Sequence, residues 1–275
     1  MGDQNPIFIF LKIKCLKRCC SLFLDIQTLE DLKRMYGSRK SMVSVVIAAA
    51  GKGLRMGNDR NKQYEEVLGK PILARTIQTF EDCSLVDEII ITVGESEVEY
   101  CKENIVGKYK FDKVKAVVTG GATRQRSVYN GLAMVSSDCS IVVIHDGARP
   151  FIDEKSIYAC IDTAEEYGAA CAAVPVKDTI KRADAEGCVD ETLDRSSLWS
   201  IQTPQAFQYD LILEAHRKAG SEGFEGTDDA VLAERLEKKV KLVMCSYNNI
   251  KITTKEDLTI AESICKYHMK GYKEW

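Results

Sequence analysis

From Met42 onward the chain alternates short, almost wholly apolar runs with longer segments whose apolar residues recur every three or four positions. The runs Val43 to Ala48, Glu88 to Val93, Val114 to Val118, Ile141 to Ile144, Ala169 to Val174 and Val240 to Cys245 are rich in β-branched or small residues and predict strands. Between them, Ile72 to Phe80, Arg124 to Val135, Lys155 to Tyr167, Leu211 to Ala219 and Asp228 to Glu237 carry the period of amphipathic helices. Strand alternating with helix predicts an α/β fold with a mainly parallel twisted sheet and helices on both faces. Strands covered on both faces must be apolar throughout, and these nearly are.

Ligands of such a sheet bind beyond the carboxyl ends of its strands. Three chemically loaded loops stand there: "AAGKGLRMG" after the first strand, "TGGATRQRS" after the third and "HDGARP" after the fourth. The segment from Val176 to Trp199 departs from the pattern, being too polar for a core strand pair. Its halves, "VKDTIKRA" and "CVDETLDR", flank a "DAEG" turn and predict a projecting hairpin. A lone hairpin is marginal in water, so this one is expected to lie on a partner surface, most simply a second copy of the chain. A solvated loop is the competing reading.

Composition narrows the function classes. With 275 residues, 45% hydrophobic and 29% charged, the chain can bury one large core or two modest ones. The formal charge of -3 is uneven: residues 1 to 41 hold eight Lys/Arg against four Asp/Glu, and the remainder holds thirty against thirty-seven. The acidic main body argues against non-specific nucleic-acid binding. Eleven cysteines without a C-x-x-C pair, and only three histidines, form no metal-ligand cluster. Cys101, Cys160, Cys171 and Cys245 sit among apolar neighbours and are read as reduced packing residues, which fits a cytoplasmic protein.

The N-terminal stretch "PIFIFLKIKCLKRCCSLFL" is broken by Lys12, Lys14, Lys17 and Arg18. It falls short of the roughly 20 clean apolar residues of a spanning helix, and its charge order does not suit a secretory signal. Residues 1–41 are therefore expected to be an extension, not native or disordered, to a single domain over 42–275, because "MVSVVIAAAG" supplies a full first strand and loop. A weak interfacial anchor is the alternative; no stable membrane association is expected.

The loop between Ile47 and Tyr64 interleaves glycines with Lys52, Arg55, Arg60 and Lys62. A phosphate-binding G-x-x-x-x-G-K-[ST] loop fails on spacing, and Gly51, Gly53 and Gly57 give G-x-G-x-x-x-G where a dinucleotide fingerprint needs G-x-G-x-x-G. What remains is a long basic loop able to wrap a triphosphate with its backbone N–H groups and cations. Arg55 offers a planar fork and Lys62 a compact charge, a pair suited to phosphoryl or nucleotidyl transfer. Taken alone, the loop fits a solvated basic segment equally well.

Taken with "KQY" at Lys62 to Tyr64, "GGATRQRSV", "HDGARP", "VKDTIKRA", "DRSSLWSIQTPQAF", "TDDA" and "NNIKIT", the chain resembles the 2-C-methyl-D-erythritol 4-phosphate cytidylyltransferase family from Val43 to about Cys265. The resemblance implies a nucleotidyltransferase fold that binds CTP with Mg²⁺ and lets a polyol phosphate attack the α-phosphorus. It implies Arg55 and Lys62 as catalytic cations, and Lys251 as a further contact to the phosphates. Ala49, Ala50, Gly51, Gly53, Gly121, Ala122 and Ser127 would surround the nucleotide. Ala122 departs from the polar residue common at that place, so a contact there falls to the backbone, while Thr123 also suits a helix N-cap. Asp146 would stand near the ribose and the metal; Arg149 suits an ion pair and His145 a packed neighbour.

The same resemblance gives the hairpin a purpose, a homodimer formed by exchanged arms, with Arg195 reaching the partner's polyol phosphate and Thr179 and Thr203 as lesser contacts. Asp228 and Asp229 read as a charged helix start. Ribitol 5-phosphate is the rival acceptor. An NAD-dependent dehydrogenase and a non-catalytic nucleotide-binding protein are the rivals of other classes.

Overall fold

The computed structural model describes residues 41–51 and 61–269. The expectations for residues 1–40, Gly53 and Arg55 lie outside these. In chain order the strands are β1 (Met42–Ala48), β2 (Glu66–Val67), β3 (Lys70–Pro71), β4 (Glu88–Val93), β5 (Val114–Thr119), β6 (Cys139–Asp146), β7 (Ala169–Pro175), β8 (Lys181–Ala183), β9 (Val189–Thr192), β10 (Trp199–Gln208) and β11 (Lys241–Met244). The helices are α1 (Ile72–Asp82), α2 (Val98–Cys101, running on as a π-helical turn over Lys102–Gly107), α3 (Arg124–Leu132), α4 (Glu154–Tyr167), α5 (Tyr209–Ser221), α6 (Ala230–Glu234) and α7 (Lys255–Met269).

Seven strands form one sheet in the order β11-β7-β10-β6-β1-β4-β5. β6 is the central strand and β1 lies beside it, parallel to β4 with Val45 opposite Ile89 and to β6 with Val45 opposite Val143. The strand order reverses beside β1, so the loops leaving β1, β5 and β6 open into one crevice. Helices hold this frame from both faces. α3 packs against β1 and β4 at Gly131, where a Cβ would meet Val46 Cγ1 at 2.5 Å, and Val128 and Leu132 join Val46, Ile90, Val142, Ile144 and Phe207 in the main core. A smaller cluster of Val67, Ile72, Ile252, Ala261 and Cys265 pins α7 beside the crevice. Asp153 caps α4 by accepting the Ser156 N–H at 2.7 Å, and Gly168 ends it at φ +88°, a conformation that favours glycine.

β10 is the largest departure from the sequence reading. It runs antiparallel between β6 and β7. Its "WSIQTPQAFQ" lacks the apolar signature of its neighbours because Gln202, Thr203 and Gln205 are buried with their polar groups hydrogen-bonded. Pro204 sits where the pairing with β7 shifts register between Ile201 and Gln205, which spares the ladder its missing donor. α7 also went unpredicted although Asp257 marks its start by accepting the N–H groups of Thr253 and Thr254 at 2.7 and 2.9 Å. The helix expected over Asp228 to Glu237 shrinks to α6.

The hairpin stands where the sequence places it. β8 and β9 pair with Lys181 opposite Thr192, and Gly187 closes the turn at φ +83°. Val189 is 63% exposed, and the Arg182 pairs with Asp190 and Glu191 at 2.7 and 3.0 Å lie in solvent, where such pairs add little. The described cysteines are free thiols, and all but Cys188 are buried. Burial pushes the Cys101 and Cys171 thiols up to about 12, as packing residues require. Among the described residues no helix is long and apolar enough to cross a membrane.

Candidate active site

Three loops and one strand end meet at the crevice. The chain leaves β1 with the Ala49 N–H donating to Thr92 O at 2.8 Å, and returns in a 3₁₀ turn over Lys62–Tyr64. The buried Gln63 amide donates to the Ala49 carbonyl and also reaches Glu97 Oε2, which accepts the Gly94 N–H at 3.0 Å. This ties the far end of the basic loop to its beginning and sets Lys62 over the mouth. Lys62 Nζ donates to Ile252 O at 3.1 Å, one residue beyond Lys251.

The loop after β5 folds against the first one. A Cβ on Gly120 would meet Ala50 Cβ at 2.4 Å and Ser127 Oγ at 2.8 Å. Ser127 Oγ accepts the Gly121 N–H at 2.9 Å and donates to Thr123 O at 2.9 Å, while Thr123 Oγ1 caps α3 at Arg126 N. Ala49, Ala50, Gly121 and Ser127 are thus drawn into one backbone-lined corner, with Gly51 and Ala122 exposed at its lip.

Asp146, at the end of β6, is the electrostatic centre. Its Oδ1 accepts from Arg124 Nε at 3.1 Å, and its Oδ2 accepts from Lys251 Nζ at 2.9 Å and Arg149 Nε at 3.4 Å. Burial alone would push this carboxyl up, but Arg124, Lys251 and Arg149 outweigh it and hold the group well below the usual carboxylate range. Asp229 behaves likewise: burial raises it, and Arg124 and His216 more than reverse that. Three cations, Arg124, Arg149 and Lys251, contact the two carboxylates, and Lys62 stands on the carbonyl of Ile252, next to Lys251 in the chain. That surplus suits a polyanion.

Thr203 is buried behind Asp146. Its Oγ1 accepts the Asp146 N–H at 3.0 Å and stands 3.0 Å from His145 Nδ1. Because His145 Nε2 lies 3.0 Å from the Arg149 carbonyl, which can only accept, the proton is on Nε2 and Nδ1 accepts from the threonine. His145 is therefore a packed, hydrogen-bonded neighbour with no free basic nitrogen, and burial pushes its pKa down to about 4. Its sign is clear. Unfolded, the ring titrates near 6.5; the contribution is full above that pH and is lost as pH falls toward 4, on the order of 3 kcal/mol. Urea unfolding followed from neutral pH to pH 4 should show this loss, and a His145→Gln protein with an unchanged slope would assign it elsewhere.

Arg195 and Thr179 are not part of this cluster within the chain. Both are exposed on the arm, and Arg195 Nη1 donates to Lys177 O at 2.6 Å. The sequence reading missed the bridging role of Arg124 and the burial of Asp229 and His216; the signal available was "TRQRS" beside "TDDA", two motifs that it took separately. Among the described residues no three His, Cys, Asp or Glu side chains converge on a metal position. The donor set does not fit a protein-built metal cage.

Known proteins match both sequence and architecture. The family model for 2-C-methyl-D-erythritol 4-phosphate cytidylyltransferase matches residues 43–267. The enzyme of that name from Alkaliphilus oremlandii is 54% identical over 84% of this chain and 98% of its own length, and that from Caldanaerobacter subterraneus is 51% identical over 80% and 97%. A crystal structure of 4-diphosphocytidyl-2C-methyl-D-erythritol synthase from Anaerococcus prevotii superposes with a TM-score of 0.73 at 35% identity, covering 82% of this chain and 96% of that one. With the crevice, its surplus of cations and a match spanning the whole sheet in agreement, the chain belongs to the 2-C-methyl-D-erythritol 4-phosphate cytidylyltransferase family.

Proposed function

We infer that the protein transfers CMP from CTP to 2-C-methyl-D-erythritol 4-phosphate, giving 4-diphosphocytidyl-2-C-methyl-D-erythritol and pyrophosphate. The observation that carries this is the family match over residues 43–267, which includes every loop of the crevice. An oxygen of the acceptor phosphate forms a bond to the α-phosphorus, and the bond from that phosphorus to the bridging oxygen of the pyrophosphate breaks with its electron pair. A phosphate monoester has its second pKa near 6, so the nucleophile is largely ionised at neutral pH and no general base is needed. The neutral, fully engaged His145 is consistent with that.

Lys62, with Arg55, stabilises charge on the equatorial oxygens, and Lys251 holds the phosphates. Ala49, Ala50, Gly51, Gly121, Ala122 and Ser127 form a corner that admits a pyrimidine and excludes a purine by size, and the family match supports Gly53 as a further nucleotide contact. Asp146 faces the ribose side. Enzymes of this family use a divalent metal; Mg²⁺ is the ion assigned here, arriving on the triphosphate and neutralising its charge, with Asp146 as the residue to hold it. Thr203, its hydroxyl engaged, acts on the site by steadying Asp146. The free thiols support a cytoplasmic location.

The exposed arm supports a homodimer in which Arg195, with Thr179, reaches the acceptor phosphate in the partner's crevice, where a guanidinium can grip it with two donors. Pyrophosphate release from CTP and Mg²⁺ should occur with methylerythritol phosphate; release with ribitol 5-phosphate alone would overturn the acceptor. Arg195→Ala should raise KM for the polyol phosphate about tenfold or more and leave CTP binding unchanged. Mixing it with Lys62→Ala protein should regain activity if the arms are exchanged, since a heterodimer then contains one intact site. No regain on mixing would remove the exchanged arm.

A further inference from the structure

Behind Asp146 a line of buried polar side chains leads away from the crevice. Arg124 spans two carboxylates, with Nε donating to Asp146 Oδ1 at 3.1 Å and Nη1 to Asp229 Oδ2 at 2.7 Å. The other oxygen of Asp229 accepts from His216 Nε2 at 3.1 Å. Asp229 and His216 are 1% and 3% exposed. Asp229 gives one oxygen to Arg124 and the other to His216, and Asp146 gives one to Arg124 and the other to Lys251 and Arg149, so neither can rotate without losing a charge-assisted hydrogen bond.

The surroundings brace this line. Gln205 Oε1 accepts the N–H groups of Asp229 and Ala230 at 3.1 and 2.9 Å, fixing the start of α6. The His216 ring, on α5, stacks on Tyr129 of α3 with centroids 6.2 Å apart. Apolar side chains of similar volume would join α3, α5 and α6 at no loss, since buried ion pairs are weak sources of stability. What apolar side chains cannot do is dictate where a carboxylate points.

We propose that His216, Asp229 and Arg124 are positioning residues for CMP transfer, a buried strut that sets the rotation of the Asp146 carboxylate and so directs its Oδ2 toward Lys251 and the nucleotide. This rests on the reading of the crevice as a CTP site. Arg124 must be arginine, because a lysine is a single point charge and cannot bridge two carboxylates along fixed directions. His216 acts at two removes from the substrate, and its effect must pass through Asp146.

That requirement makes the strut testable by a double-mutant cycle. His216→Phe keeps a ring against Tyr129 and removes the donor. It should lower kcat/KM for CTP about tenfold, through KM for CTP, with KM for the polyol phosphate unchanged. In an Asp146→Asn background the same change should cost less than about twofold. His216→Gln, which keeps an N–H donor, should recover most of the loss. Equal losses in both backgrounds, or equal rises in both KM values, would overturn the strut. If His216→Phe fails to fold by circular dichroism, Asp229→Asn in the same cycle decides by the same outcomes. Calorimetric titration with CTP and Mg²⁺ reads the cycle without turnover. A wild-type protein that binds CTP but releases no pyrophosphate would overturn the transfer reaction and leave the strut to be judged by binding.

Discussion

Lys62→Ala is expected to lower kcat for CMP transfer by roughly 10²–10³-fold, the range found when one preorganised donor to a developing charge is removed. The fold should survive. Lys62 sits on a short 3₁₀ turn whose anchor is Gln63, and its contact with Ile252 O is a charge-assisted hydrogen bond whose loss costs about 1.5–3 kcal/mol. The effect should fall on kcat more than on KM for CTP, since charge on the equatorial oxygens builds up in the transition state. Lys62→Arg should recover only part of it, because a flat guanidinium does not reproduce a compact ammonium. Steady-state pyrophosphate release at saturating substrates, with a thermal melt for each protein, checks this. Turnover near that of the unaltered protein would remove Lys62 from the reaction.

Arg124→Met should have the largest effect on stability, about 3–5 kcal/mol, because it strands a buried carboxylate. Among the described residues, Asp146 would keep Lys251 and Arg149, whereas Asp229 would keep only His216 as a side-chain partner of its carboxylate. The loss has a characteristic pH dependence. With Arg124 present both carboxyls lie below their usual range, so their contribution is present above the unfolded carboxylate pKa, about 3.9, and is lost as pH falls through the folded values. Without Arg124 the Asp229 pKa rises above its unfolded value, and the variant gains relative stability as pH falls. Urea midpoints at neutral pH and near pH 5 should therefore show a deficit that shrinks on acidification. An equal deficit at both would show that lost packing, not stranded charge, is the cause.

Much of the fold was legible because its strands are buried on both faces and carry an unbroken apolar signal. Glu88 to Val93 and the start of α1 at Ile72 match the sequence reading residue for residue. β10 was not legible, since Gln202, Thr203 and Gln205 look like surface residues until their partners in other segments are known. In the site, Gly121 and Ser127 were named through the contiguous motif "GGATRQRSV" and the resemblance it carries. The partnership of Arg124 with Asp146 and Asp229 joins residues 22 and 105 positions apart, and no local pattern reports it.

The sequence by itself determined the α/β alternation, the three loops at the strand ends, the projecting hairpin and the family. Each is written in local periodicity, turn chemistry or contiguous motifs. Only the tertiary structure decided that β10 enters the sheet against its direction, that Thr203 turns inward to hold His145 and Asp146, and that Asp229, at the start of α6 as the sequence reads it, is also part of a buried ion-pair line. The reason is physical: a polar side chain has the same chemistry in water and in the core, and which of the two it occupies depends on whether distant segments bring it a partner.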